Sequence, residues 1–274
     1  MFSASAALAQ HAGHGGHGSH GGALTAAKAP DWTAYPVLLA SGGYSRSDAK
    51  YQSFNMHAME GVTFASFYGD GNVAPEAATH NLLIDDNGAL SFKIGEDGSY
   101  YLVRVVGHGP GGEEAVASTF KYFSKPGPAP RDLLNAQRPG FEIVPAILPR
   151  EHSRYRENQT WAFRVRMNAE PMAGLPVVLE TSNGTRAEFA TDADGVVNVT
   201  LPKDFKDIPK DQWNHGRPPA SQFVLAVRHG GLLATFNGDY SLDAYGDKNV
   251  WAGVGFAVLG MAAAVPLVRR RKKA

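Results

Sequence analysis

The chain has 274 residues, with 26 basic and 26 acidic side chains, 31 glycines, 17 prolines and no cysteine. A sequence without cysteine has no disulfides, thiolate metal sites or cysteine nucleophiles. Zero net charge gives no basic footprint for nucleic acid. The high glycine and proline content, with only 19% charged residues, favours turn-rich β structure over helical bundles.

Residues 1–9, MFSASAALA, are small and apolar and end in an A-x-A pattern. This pattern is typical of the site where a signal peptide is cut. The stretch is too short to contain the basic and apolar regions of a complete signal peptide. We therefore predict a partial signal peptide and a mature chain that begins near Gln10.

Residues 10–30 are rich in histidine and glycine, and His11, His14, His17 and His20 recur at every third position. A tract of this composition cannot bury apolar area, so we predict that it is disordered. Imidazoles bind nickel, cobalt, copper or zinc ions, and the pattern does not select among them. The sequence predicts a transition-metal site here, with a plain linker as the alternative.

Residues 31–125 alternate apolar and polar side chains in short runs, which predicts a first β-sandwich domain. The runs at 90–94 and 101–105 flank a Glu-Asp-Gly turn and predict a hairpin. In the same half, Met56, His57 and Met59 lie together, and on one strand His57 and Met59 would share a face. Thioether and imidazole ligands suit Cu(I). The alternative is that the methionines pack in the core.

A Pro-rich stretch at 126–140 predicts a linker. After it, residues 141–247 predict a second β-sandwich of immunoglobulin type with about seven strands. These runs lie at 141–145, 161–167, 176–181, 186–191, 196–201, 223–229 and 234–242. The expected fold class is therefore all-β, with two sandwich domains in tandem.

Residues 250–268 carry no charge and are long enough, at about 1.5 Å per residue, to cross a bilayer as one helix. The basic tail 269–274 follows at once and would remain cytoplasmic. The sequence thus predicts a bacterial inner-membrane protein with a single span and a periplasmic bulk. A buried core helix is the alternative.

The order of EIVP at 142–145, WAFRVRM at 161–167 and the segment 173–202 resembles a bacterial periplasmic domain family of unknown function. The TDADG turn followed by a V-x-V-x-L strand within that segment is shared with other immunoglobulin-like modules and indicates the fold only. That family is often described as the periplasmic component of nickel or cobalt uptake systems. The resemblance covers roughly residues 141–242. It implies an immunoglobulin-like fold and a C-terminal membrane anchor. For a role in metal uptake, the expected partner is a metal permease or an outer-membrane receptor.

The sequence lacks the motifs of zinc proteases, serine hydrolases, P-loop proteins and dinucleotide-binding enzymes, and we predict a protein that binds without catalysing. The first hypothesis is a membrane-anchored periplasmic accessory protein that captures nickel, cobalt or copper for uptake or delivery. The second is an immunoglobulin-like envelope module that binds another protein through exposed sheet edges. The third is an oxidative copper enzyme with His11 at the mature N-terminus.

Overall fold

The computed structural model describes residues 30–41, 51–69, 79–81, 83–84, 89–93, 100–122, 129–149, 154–205, 209, 211, 213, 215 and 217–243. The described residues form seventeen strands and one short helix. The first half contains β1 (Val37–Ser41), β2 (Tyr51–His57), β3 (Glu60–Gly69), β4 (Thr79–Asn81), β5 (Leu83–Ile84), β6 (Ala89–Lys93), β7 (Tyr100–His108) and β8 (Glu114–Tyr122).

After α1 (Arg131–Asn135), the second half contains β9 (Phe141–Pro145), β10 (Tyr155–Arg156), β11 (Thr160–Met167), β12 (Glu170–Pro171), β13 (Pro176–Thr181), β14 (Arg186–Ala190), β15 (Val196–Thr200), β16 (Ala220–His229) and β17 (Leu232–Ser241). All seven strands predicted for this half are confirmed, with shifts of a few residues at their ends. The β-rich class is confirmed for the described part of the chain.

The strands form three sheets. The first sheet has the order β1-β2-β6-β5, and the third sheet contains β12, β11 and β15, with β9 on the other side of β11. The middle sheet runs β14-β13-β16-β17-β8-β7-β3-β4, with β10 also paired to β17. The middle sheet thus contains strands from both halves of the chain.

The two halves meet where β8 and β17 pair in parallel, from Glu114 beside Leu232 to Thr119 beside Asn237. The predicted domains are therefore joined by backbone hydrogen bonds of one continuous sheet. The hydrogen bonds between β8 and β17 resist bending far better than a flexible linker does. This pairing therefore sets the relative position of the two halves.

Strand β16 shows how the layers stack, because both of its faces are buried. Val224 and Ala226 belong to the first core, beneath the first sheet. Phe223, Leu225 and Val227 belong to the second core, beneath the third sheet. Side chains alternate across a strand, so the middle sheet lies between the two cores.

The segment predicted as a linker, 126–140, is described from residue 129 onwards and is packed against the protein. Helix α1 buries Leu133 and Leu134. Next to it, the Glu142 carboxylate, 1% exposed, accepts hydrogen bonds from Arg138 Nε at 3.0 Å and Arg166 Nε at 2.6 Å. This buried ionic group fastens the segment to β9 and β11.

Two further predictions concern a hairpin in the first half and a membrane span near the C-terminus. The hairpin predicted at 90–94 and 101–105 is wrong, because β6 pairs with β2 and β5 in the first sheet while β7 pairs with β3 and β8 in the middle sheet. The predicted membrane span, 250–268, lies outside the described residues. Within those residues, no helix has the length and hydropathy needed to span a membrane.

Candidate functional site

The predicted metal ligands are placed only in part. His11, His14, His17 and His20 lie outside the described residues. Met56 and Met59 are 2% and 0% exposed and pack in the first core, while His57 is half-buried at the end of β2. The chain turns sharply after His57, since Ala58 has a φ of 54°.

Because β2 ends at His57, that residue and Met59 do not lie on one strand, and the predicted shared face is not formed. Both methionines have the packing position that was the alternative for them. In the part of the chain that the structure describes, no three His, Asp or Glu side chains converge as they do around a metal ion. Metal binding by Met56, His57 and Met59 stays a prediction.

A cleft of about 350 Å³ lies at one end of the middle sheet, between the turn that precedes β8 and the turn that joins β16 to β17. Its lining includes one glycine of the first turn, Gly111, both glycines of the second turn, and three polar side chains, Glu113, Arg228 and His229. Gly230 and Gly231 have φ values of 57° and 79°, a conformation that favours glycine.

The charged groups of this cleft are already paired. Arg228 Nη2 lies 3.1 Å from Glu113 Oε1, and the guanidinium stands 5.1 Å from the centre of the Tyr35 ring. The pKa of Glu113 is held below its usual value, chiefly because its own backbone N–H donates to the carboxylate and secondly because Arg228 does so, while burial opposes the shift. Through Arg228, which also contacts Tyr35, the pair ties the N-terminal segment to the turns, and Arg228 and His229 are both exposed at the cleft.

A second polar cluster lies beside the second core, near the end of β17 that is opposite to the cleft. The Tyr240 hydroxyl donates to Asp204 at 2.7 Å, and Thr181 Oγ1 and Asn183 Nδ2 donate to the same carboxylate at 2.9 and 3.0 Å. Burial raises the pKa of Tyr240. The cluster satisfies its own hydrogen-bonding groups and attaches the loop after β15 to the sheet.

Strand β14 is the outermost strand of the middle sheet, and no described strand pairs with its outer side, here called the β14 edge. Thr181 N–H donates to Thr185 O at 2.9 Å, and Thr191 N–H donates to Leu175 O at 3.0 Å. Thr185 and Thr191 thus direct their backbone groups towards the neighbouring strand β13. Backbone groups alternate in direction along an antiparallel strand, so every second residue between these two does the same. Ala187 and Phe189 therefore direct their backbone groups towards β13.

It follows that Arg186, Glu188 and Ala190 direct their N–H and C=O groups away from the sheet. All three residues are exposed. On the opposite face of β14, Ala187 and Phe189 pack against the second core. The strand is thus supported from one side, while a row of backbone donors and acceptors faces outward.

The sequence predicted the strand at 186–191 but did not identify it as the sheet edge. Its only signal was the alternation of RAEFA, in which two of the exposed positions are charged. Charged side chains are frequent on edge strands, because they discourage unspecific pairing. The interior strand β16 instead contains a continuous apolar run from Phe223 to Val227.

Comparisons with known proteins give distant likenesses only. No family model matches the chain, and no curated protein matches it. The resemblance to the periplasmic family therefore stays a prediction. Among solved structures, the chain is similar to a bacterial ice-binding adhesin of 1.5 MDa, with 13% identity over 80% of this chain and 66% of that chain and a TM-score of 0.26.

It is also similar to the BSP domain of a biofilm-associated protein, at 12% identity over 70% of this chain and 27% of that one, with a TM-score of 0.22. For murine CEACAM1b the values are 9% identity, 71% and 92% coverage and a TM-score of 0.18. The chain spans 66% or less of the adhesin and the biofilm protein. TM-scores this low carry no information on ligands or partners.

Proposed function

We propose that this chain is an interaction module of the bacterial envelope that binds an extended segment of a protein by strand addition at the β14 edge. In strand addition, main-chain hydrogen bonds supply affinity and the side chains of the edge supply selectivity. In this proposal residues 250–268 hold the module at the inner membrane, with its bulk in the periplasm.

The observation that carries the proposal is the outward row of backbone groups at Arg186, Glu188 and Ala190, on a strand that no described strand covers. Phe189 and Ala187 anchor β14 on the second core, so the edge keeps its extended shape without a partner. An edge that is already ordered binds an incoming strand at a lower entropic cost.

The continuous middle sheet adds a mechanical reason. Strand β14 forms one edge of that sheet and β4 forms the other. The parallel pairing of β8 with β17 lies between them. Because both halves share the sheet, the edge has a fixed position relative to the rest of the molecule. Such a module presents one binding edge in one orientation.

A site-specific cross-link tests the proposal in the native envelope. The photoreactive amino acid p-benzoylphenylalanine replaces Ala190 in the full chain, and irradiation is followed by mass analysis of the adducts. Asp239, exposed on the interior strand β17, is the matched control position. We expect protein adducts from position 190 and none from position 239.

The edge is then blocked with Glu188→Pro, which removes one outward N–H without touching a hydrogen bond to β13. Proline is tolerated on an edge strand when its nitrogen faces outward. The adduct at position 190 should disappear while the chain remains folded. Equal adducts at both positions, or none at position 190, would sink the proposal.

A second function has its own support in the sequence: capture of a nickel, cobalt or copper ion by His11, His14, His17 and His20 for a metal permease or an outer-membrane receptor. The supporting observation is the regular spacing of four imidazoles among glycines. It is compatible with the first proposal, because the tract and the β14 edge are different parts of the chain.

A further inference from the structure

The charges on the β14 edge are arranged unequally within one molecule. Arg186 and Glu188 lie two residues apart on the exposed face of the strand. Arg186 forms an ion pair with Glu180, its cross-strand neighbour on β13. Glu188 instead stands opposite Val178, and it makes no ion pair or hydrogen bond with any described residue.

A second copy of the chain can supply the cation that Glu188 lacks within one molecule. Two β14 edges can pair antiparallel about a two-fold axis, because an isologous contact presents the same patch on both sides. The outward-facing residues must then meet in hydrogen-bonded pairs. Few registers satisfy that condition.

The registers differ in their charges. If the axis passes through Glu188, this carboxylate faces its own copy, and like charges directly opposite each other destabilise a sheet. If the axis passes through Arg186, two guanidinium groups face each other with the same result. If it passes through Ala187, Arg186 of each copy faces Glu188 of the other, and both cross-strand pairs are of opposite charge.

Resting on the proposed function, we propose that the partner of the β14 edge is a second copy of this chain, paired antiparallel with Ala187 on the two-fold axis. Each Arg186 then lies between Glu180 of its own chain and Glu188 of the second copy. Each Glu188 gains the cation that it lacks in one molecule. The small side chain of Ala187 allows the two backbones to approach closely at the axis.

A cysteine at the axis reports the register. In this pairing the two residues at position 187 form a non-hydrogen-bonded pair with a Cα–Cα distance of about 4.5 Å. This distance lies within the range for a disulfide. The chain contains no cysteine, so Ala187→Cys introduces the sole thiol. We expect mild oxidation of the full-length variant in membranes to give a covalent dimer.

Charge exchange tests the partner. In the Ala187→Cys background, Arg186→Glu alone and Glu188→Arg alone each place like charges in both cross-strand pairs. Each should reduce the dimer yield by about tenfold, the factor expected when two such pairs change sign. When the two variants are co-expressed with different tags, opposite charges face each other again, and a mixed dimer should form at close to the original yield.

Arg186→Gln and Glu188→Gln are the neutral controls and should give intermediate yields. Thermal unfolding by circular dichroism verifies that each variant remains folded. A covalent dimer that forms in the same yield in all the charge variants as in Ala187→Cys alone would overturn the proposed register. A monomeric chain whose adduct at position 190 contains a different protein would overturn self-pairing and leave strand addition in place. No adduct of any kind would remove both.

Discussion

The side-chain amide of Asn237 pairs with the backbone of Leu38, which lies 199 residues earlier in the chain. Leu38 N–H donates to Asn237 Oδ1 at 2.9 Å, and Asn237 Nδ2 donates to Leu38 O at 2.9 Å. Beside this pair, Thr235 Oγ1 donates to Pro36 O at 2.7 Å. Strand β1 is therefore fastened to β17 by side chains that take the place of a neighbouring strand.

Replacing Asn237 with alanine should lower the free energy of unfolding by about 2–4 kcal/mol, because it leaves the buried N–H and C=O of Leu38 without partners. Urea denaturation measures the loss. Asn55→Ala is the matched control, since this amide is exposed on β2 and its removal should change stability by about 0.5 kcal/mol or less. Equal losses in the two variants would contradict a specific role for the Asn237 amide.

Replacing Glu142 with alanine should cost about 3–5 kcal/mol, because Arg138 and Arg166 would then lack their shared buried counter-charge. Arg156→Ala breaks the more exposed ion pair with Asp243 and should cost about 1 kcal/mol or less. Chemical denaturation compares the two. A loss for Glu142→Ala no larger than that for Arg156→Ala would show that the buried ionic group does not hold the segment between the two halves.

Two glycines of the second half separate backbone strain from steric clash. Gly195 has a φ of 68°, and a Cβ there would lie 2.8 Å from Val165 O and from Met172 N. Gly184 has a φ of 92° with nothing near its Cβ position. Gly184→Ala should cost about 1–2 kcal/mol for its backbone conformation, and Gly195→Ala about 2–5 kcal/mol because the clash is added. Similar losses in thermal unfolding would rule out the clash.

The Glu113 carboxyl should make stability depend on acid pH. Its pKa is lowered in the folded chain, so its stabilising effect is present above the ordinary value near 4.5 and is lost as the pH falls through the folded value. The stability difference between the natural chain and Glu113→Gln should therefore shrink between about pH 6 and pH 3.

Urea titrations across that range measure this difference, and Glu170→Gln, at an exposed position on β12, serves as the control. A difference that stays constant across the range would show that the Glu113 carboxylate does not stabilise the fold through its charge.

The histidine tract is tested by isothermal titration of the full chain with Ni(II), Co(II), Zn(II), Cu(II) and, under reductant, Cu(I). Replacing His11, His14, His17 and His20 with alanine should abolish binding, because these imidazoles are the proposed ligands. The double variant Met56→Leu and Met59→Leu should retain binding, since both thioethers are buried in the first core. Binding that survives in the histidine variant but is lost in the methionine variant would move the site to Met56, His57 and Met59.

Local patterns predicted the strands of the second half well. Alternation with period two is a property of a few neighbouring residues, and the Asn183-Gly184 and Asp192 to Gly195 turns separate the runs. The same pattern failed for β6 and β7, because alternation identifies a strand without indicating which sheet it joins. The apolar run from Phe223 to Val227 is a local sign of a strand buried on both faces.

The candidate sites divide in the same way. The spacing of the tract histidines is visible in the sequence, whereas the burial of Met56 and Met59 follows from the first sheet lying over the middle sheet. The β14 edge has no motif of its own. Its outward backbone groups are defined by the pairing of β14 with β13 and by the absence of a further described strand.

Local composition and periodicity predict where most strands lie and distinguish the terminal segments from the rest of the chain, and the lack of cysteine excludes several chemistries. The folded chain is needed to show that β8 pairs with β17, that one sheet contains strands from both halves, and that β14 lies at the edge of that sheet. Backbone hydrogen bonds between strands are chemically alike for every residue except proline, so they do not select a partner strand. Partner choice therefore depends on packing between residues far apart in the chain, such as Leu38 and Asn237.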